Sequence, residues 1–513
     1  MTSVFVPGPV APEPVALLRS LAGAGFEVGP ARSVERTLLD TFDGRLHAAG
    51  IRLELRTDAG TRLIVHDAGP ATAWTPVGAM PSVAGDLPAG PLQDRLAPLL
   101  DVRALMPTIG VAARVSSAVR RDAEGKAEVA FAVHDQLKLA SGDPIAGPWA
   151  IELESFEGYP KAARQAARLL SSLGLTRRDA GLLDAVAEDA GVDLRGFVDS
   201  PTVALEPSDG ALDAFRRVLA NLAATIEANW HGTVADVDTE FLHDLRVAVR
   251  RTRSLLSHGR GVLPAGERDH FGAEFRWLGT VTSPPRDMDV YLIEWPTYVA
   301  SLDEASRRAL APVVDHLAHR RKAEHDTLIG HLGSDRYRAL MTAWLAWLDA
   351  PLPGGPLPKR ATKPLGAVVA DRLVDAQDRL LTRGRAIGPA TPAEELHELR
   401  KDAKRLRYLL ECFGGMLPAA LSKPFVQRLK ALQANLGEHQ DTEVHTAQLT
   451  AMAHELQDAP GVTTDTLVAI GRLTELFDRR RLAAREEFAA RFADYDTKQT
   501  ARSLAELLNA ARP

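Results

Sequence analysis

A chain of 513 residues exceeds what one hydrophobic core supports, so two to four domains are expected and a single small module is excluded. Hydrophobic residues at 45% and charged residues at 25% exclude global disorder, and a net charge of −6 gives no general pull toward a polyanion, so any anion site must be local. The one cysteine, Cys412, excludes an internal disulfide framework and a multi-cysteine zinc site, which fits a reducing cytoplasm. No stretch reaches the roughly 18 apolar residues of a bilayer span, and Met1–Val10 lacks the basic-then-apolar order of a secretory signal. A soluble, cytoplasmic protein with no membrane partner is expected.

Residues 1–195 read as a mixed α+β domain. Ile51–Arg56, Arg62–His66, Val111–Arg120, Glu128–Val133 and Trp149–Glu154 alternate polar and apolar residues between Gly/Pro/Asp-rich breaks, the pattern of antiparallel strands. Pro91–Leu100 and Tyr159–Leu173 have helical spacing. Residues 196–210 read as a linker, because SPTVALEPSDG combines Pro, Ser and Gly without periodicity.

Residues 211–508 carry helical periodicity rich in Ala, Leu, Arg and Glu, and strand signals cease. The breaker cluster Pro351–Pro364 divides this region into repeats of about 211–350 and 364–508. Leu242–Leu256 (LHDLRVAVRRTRSLL) and Leu396–Leu410 (LHELRKDAKRLRYLL) align, with His243 on His397, Arg246 on Arg400, Arg250 on Lys404, Arg251 on Arg405 and Arg253 on Arg407. The register continues without a gap through Pro264 on Pro418, Arg276 on Lys430 and Asp287 on Asp441, which a duplicated helical unit accounts for most simply.

At about 100° per residue, Leu245, Val249, Thr252 and Leu256 form an apolar stripe, and His243, Arg246, Arg250 and Arg253 share an adjoining face. His397, Arg400, Lys404 and Arg407 repeat that face. Like charges at this spacing repel, and guanidinium forks match phosphate oxygens, so an anion is one natural partner. Ion pairing with Asp244, Glu398, Asp287 and Asp441, or plain solvation, is the other reading of the same stripes.

This duplicated H-x-x-R-x-x-x-[RK]-R-x-R pattern, with the downstream LGTVTSPPRDMDV segment, resembles the CHAD family, the conserved histidine α-helical domain, over about Ala211–Leu508. The resemblance implies an all-α domain of two pseudo-symmetric helical-bundle repeats around a basic pore, binding of inorganic polyphosphate, and association with polyphosphate granules. It carries the phosphate-binding role onto His243, Arg246, Arg250, Arg253, His397, Arg400, Lys404 and Arg407, with Arg251, Arg276, Arg405 and Lys430 as a second tier. Asp287 and Asp441 are read as residues that orient arginines or cap helices. The second copy departs by Gln440 in place of Arg286 and Glu443 in place of Asp289. Few aromatics interleave with the basic stripes, so the stacking platforms of single-strand nucleic-acid binders are not evident.

Glu35–Arg56 (ERTLLDTFDGRLHAAGIRLELR) and Glu152-Leu153-Glu154 with the following helix resemble the CYTH family. That resemblance implies an antiparallel β-barrel, a triphosphate tunnel, in which many members hydrolyse triphosphates with a divalent metal. The departure lies at the start: TSVFVPGPV stands where the family has E-x-E-x-K. No catalytic or metal-binding residue is therefore assigned, no cofactor is required, and a divalent metal would matter only if this domain kept activity. Arg52, Arg56, Arg114 and Lys126 remain candidates for an anion in the tunnel. His316, His319, His325 and His331 are read as surface histidines, and Cys412 as a small core residue.

Overall fold

The computed structural model describes residues 2–66, 73–145, 147–198, 203–351 and 356–512. The expected linker falls partly, and the Pro-rich divider at 352–355, outside the described residues. The chain separates into two compact units, Met1–Asp199 and Ser200–Pro513.

In the first unit the elements run β1 (Thr2–Pro7), α1 (Pro14–Gly23), β2 (Glu27–Val28), β3 (Arg32–Asp40), α2 (Arg45–Ala48), β4 (Arg52–Thr57), β5 (Thr61–His66) and β6 (Ala73–Pro76). They continue α3 (Pro91–Leu100), β7 (Met106–Arg121), β8 (Ala127–Leu139), β9 (Ala150–Ser155), α4 (Pro160–Ser172), β10 (Leu175–Arg178) and α5 (Leu182–Asp189). All ten strands join one antiparallel sheet in the order β10-β1-β9-β8-β7-β3-β4-β5-β6, with β2 also on β7. Every alternating segment read from the sequence is a strand, and both helical segments are helices.

The β7–β8 turn closes because Asp122 N–H donates to Lys126 O at 2.9 Å and Gly125 takes a φ of 81°, a left-handed conformation cheapest for glycine. The sheet buries apolar side chains on more than one face. Phe5, Phe131 and Ile151 pack with Leu17 of α1 and Leu170 of α4, whereas Leu39, Leu53 and Leu63 pack with Leu46 of α2 and Leu96 of α3.

Among its described residues the second unit consists of helices and their connections, with no β-strand. Its helices are α6 (Ala211–Val234), α7 (Thr239–His258), α8 (Ala265–Val281), α9 (Ser283–Val299), α10 (Glu304–Ala309), α11 (Ala311–Leu332) and α12 (Asp335–Asp349). They are followed by α13 (Leu365–Ala386), α14 (Ala393–Cys412), α15 (Ala419–Leu456), α16 (Thr464–Tyr495) and α17 (Lys498–Ala511).

The repeat read from the sequence becomes α7 and α14, each 20 residues long and beginning and ending at equivalent positions. Asp238 caps α7, accepting from the N–H groups of Glu240 (2.9 Å) and Phe241 (3.2 Å). One large core spans both copies, from Phe215, Leu245 and Phe275 to Leu399, Leu406 and Phe425.

The copies differ downstream. α8 and α9 meet at Thr282, whereas the equivalent stretch of the second copy runs unbroken in the 38-residue α15. Pro284 and Pro285 mark the difference: a proline pair fits the first turn of a helix, where no backbone donor is needed, and favours a new start there, whereas the second copy has Glu438 and His439 at those positions. A second core joins the copies, with Tyr291 and Tyr298 of α9 against Leu449 and Met452 of α15 and Phe477 of α16. Within it Tyr291 and His445, which occupy equivalent positions, meet edge to face at 4.6 Å between ring centroids.

Candidate functional site

Helices α7 and α14 pack against each other, which brings the two basic stripes together. Arg251 of α7 reaches Glu411 of α14 at 3.3 Å. On the neighbouring face, Arg250 of α7 lies close enough to Lys404 of α14 for its charge to oppose protonation there. Arg250 and Lys404 are equivalent in the repeat, so the two stripes meet at corresponding points. Neither makes an ion pair or side-chain hydrogen bond among the described residues, and Arg250 Nε is buried without a partner.

The electrostatic consequence is visible at two groups. Burial, reinforced by Arg400, Arg250 and Arg407 against the opposing pull of Asp441, lowers the Lys404 ammonium to about 8. Burial likewise lowers Arg246 to about 10; Asp287 pulls upward while Arg250, Arg286 and Arg253 push down. A group crowded by like charges in this way gains from an anion more than an isolated surface cation does.

The flanking elements position the cations. Arg246 Nη1 donates to Ser283 Oγ at 2.9 Å, Thr282 Oγ1 at 3.1 Å and Gly279 O at 3.3 Å, all at the break between α8 and α9. Arg253 lies over Gly279, where an added Cβ would come within 2.8 Å of its Nη1, and Arg276 of α8 stands near enough to lower its pKa further after burial. In the second copy Arg400 pairs with Asp441 at 3.1 Å, and His397 Nδ1 donates to Gln440 Oε1 at 2.6 Å. Arg286, where the second copy has Gln440, instead donates to Thr239 O at 3.1 Å and Glu240 Oε1 at 3.4 Å.

Two carboxylates share this surface. Burial raises Asp287 against Arg246 and Arg286, and Asp441 adds to the rise; burial also raises Asp441 against Arg400 and Lys404. Asp287 and Asp441 are again equivalent positions, so carboxylates as well as cations come together from the two copies. Asp441 orients Arg400 as the sequence suggested. Asp289 holds Arg321 at 2.8 Å instead of a stripe residue.

The remaining candidates separate from this group. Arg405 pairs within its own helix with Asp402 at 2.9 Å, and Lys430 is exposed on α15, whereas Arg407, which approaches Glu411 at 3.5 Å, stays near enough to Lys404 to act on it. His243 shares the start of α7 with Glu240 and Asp244, whose ligand atoms lie within 4.8 Å of one another and of its ring nitrogen. Thr282, Ser283 and Gly279 went unremarked in the sequence, since small residues carry no charge pattern. Their only signal was the Ser-Pro-Pro break. Cys412 is packed against the main core, and burial raises its thiol to about 12.

In the first unit, Arg52 pairs with Asp184 at 2.7 Å, Arg56 with Glu54 at 2.7 Å, and Lys126 with Glu124 at 2.9 Å on the β7–β8 turn. Arg114 and Glu154 are exposed. Those arginines and the lysine therefore do not converge on one anion site.

Residues 217–450 match the model of the family described as the CHAD domain. Two uncharacterised proteins of Mycobacterium tuberculosis are 26% identical over 461 residues, covering 83% of this chain and 83% of theirs. Among solved structures, the CHAD domain from the plant Ricinus communis is 26% identical and covers 60% of this chain and 96% of that one, with a TM-score of 0.45. A putative adenylyl cyclase from Hippeastrum, described as having a dominant triphosphatase activity, is 14% identical over 38% of this chain and 95% of that one, with a TM-score of 0.27. No described helix is long and apolar enough to cross a membrane.

Proposed function

Because the helical unit is a CHAD domain over residues 217–450, we propose that it binds inorganic polyphosphate along the paired faces of α7 and α14. The observation that carries this reading is the meeting of Arg250 and Lys404 from equivalent positions, with Arg246, Arg253, Arg400 and Arg407 around them and too few carboxylates to neutralise them. A repeating anion suits two equivalent sets of donors, because successive phosphates can satisfy corresponding groups on each helix. Arginine supplies paired donors, while the crowded lysine supplies a point charge that an anion restores to its protonated form. In a cell, a chain held in this way would travel with polyphosphate granules.

Binding of labelled long-chain polyphosphate to the full chain, with RNA as competitor, tests the proposal. The expected result is salt-sensitive binding that RNA of equal charge displaces poorly and that falls at least tenfold in Arg250→Glu/Lys404→Glu. Equal displacement by RNA, or an unchanged affinity in a variant with native circular dichroism, would return these helices to a structural or general polyanion role.

A further inference from the structure

The sheet of the first unit holds a closed charge network centred on Arg36 of β3. Its guanidinium donates through Nε and Nη2 to the two oxygens of Glu54 on β4, at 2.9 and 2.8 Å, and through Nη1 to Glu152 Oε2 on β9 at 2.8 Å. Arg56 Nε adds a bond to Glu54 Oε1 at 2.7 Å, and His66 Nε2 of β5 one to Oε2 at 3.1 Å. His134 Nε2 of β8 donates to Glu152 Oε2 at 2.9 Å. The Arg36 and Glu54 side chains are 6% and 1% exposed. A cavity of about 220 Å³, lined by Arg32, Arg36, Arg56, Ser117, His134 and Glu152 among others, opens beside the network.

A divalent ion does not fit this arrangement. Magnesium takes several oxygen ligands in near-octahedral order and manganese favours similar oxygen and nitrogen donors, yet both oxygens of Glu54 already accept bonds from cations and a histidine. Arg36 and Arg56 balance Glu54 and Glu152, so an added ion of charge +2 would enter a neutral cluster facing two guanidiniums. The first strand offers no relief, since Val4 stands opposite Glu152 and Thr2 opposite Glu154.

We infer that Arg36 is the resident cation of this sheet interior, occupying and masking a donor set of Glu54, Glu152, His66 and His134 that would otherwise hold a divalent metal. Burial raises both carboxyls, but Arg36, joined by His66 and Arg56 at Glu54 and by His134 at Glu152, outweighs it and holds both well below the usual carboxylate range, as expected of oxygens committed to fixed donors. The ion pair lets the strands bury two carboxylates without recruiting metal, and it closes the route by which a metal could polarise a bound triphosphate.

Manganese binding to the full chain, followed by electron paramagnetic resonance of the free ion and by Tm, tests this independently of polyphosphate. The wild type is expected to bind no manganese that Glu54→Gln/Glu152→Gln abolishes. Arg36→Ala is expected to gain one site per chain, lost again when Glu54→Gln is added, with Tm rising by several degrees on addition of manganese. Arg36→Lys, which keeps the charge, is expected to gain none. A wild-type manganese site abolished by the double glutamine variant overturns the inference, as does a folded Arg36→Ala that binds no more than wild type. If Arg36→Ala does not fold, the wild-type comparison with the double glutamine variant still decides.

Discussion

Lys404 ties the proposed anion site to pH. With its folded pKa lowered to about 8 and its unfolded value near 10.5, the buried ammonium costs stability below about pH 8, and that cost is relieved as the pH rises through this window. Anion binding has the opposite slope, because a bound phosphate favours the protonated lysine. Polyphosphate affinity should therefore fall several-fold between pH 7 and 9 while Tm does not fall with it, and Lys404→Arg should flatten the affinity profile. Titrations of both proteins across that range check the expectation; a profile unchanged by Lys404→Arg places the pH dependence elsewhere. The carboxylates make a second residue-scale prediction. Asp287 and Asp441 sit among the cations with raised pKa values, so they oppose an incoming phosphate. Asp287→Asn/Asp441→Asn should tighten polyphosphate binding at pH 7 in a filter or fluorescence assay, and weaker binding would show instead that Asp441 is needed to hold Arg400 in place.

At the scale of elements, the site depends on how closely helices approach. In the last turn of α8, a Cβ at Gly279 would displace the end of the flexible Arg253 side chain and leave the backbone in place. Gly279→Ala should keep or raise stability, by up to about 1 kcal/mol from helix propensity, while weakening polyphosphate binding. Thermal melts beside binding curves separate the two effects. Gly232 of α6 is the contrasting case, because a Cβ there would lie 2.2 Å from the ring of buried Phe241. Gly232→Ala should destabilise the unit by roughly 1–3 kcal/mol through overpacking of α6 against α7, read from urea unfolding. The basic helices were legible in the sequence because a cationic stripe at helical spacing that recurs in register seldom arises by chance. The Arg36 network was not. In β4 both Leu53 and Glu54 are buried, so the alternation Arg52–Arg56, which normally marks one wet face, here separates an apolar core from a buried ionic one. A period of two identifies the faces of a strand without saying which of them is dry.

For the whole molecule, overall charge and local charge give opposite expectations, and the pairing of the two copies is what sets them apart. The chain carries a net charge of −6, yet cations that lie far apart in sequence, on α7 and α14, are gathered onto one surface by the pairing of the two copies. The duplicated register made that gathering readable in advance. What register could not supply was the differing fate of the copies downstream, where two prolines split α8 from α9 and their absence leaves α15 continuous, so that Arg246 is held by Thr282 and Ser283 but Arg400 by Asp441. Two equivalent sets of cations held by different partners should still act together on a long anion. If Arg246, Arg250, Arg253, Arg400, Lys404 and Arg407 each displace a counterion, at roughly 0.7 per contact for a flexible single chain, the logarithm of affinity should fall with the logarithm of salt at a slope of about −4. Tripling the salt should then weaken binding by roughly 80-fold. Binding curves at three salt concentrations measure that slope, and Arg250→Glu/Lys404→Glu should make it shallower by at least about 1.4, two contacts' worth. A wild-type slope near −1 would mean that the paired helices engage the anion through a single cation, and that the meeting of the two stripes serves the fold and not the ligand.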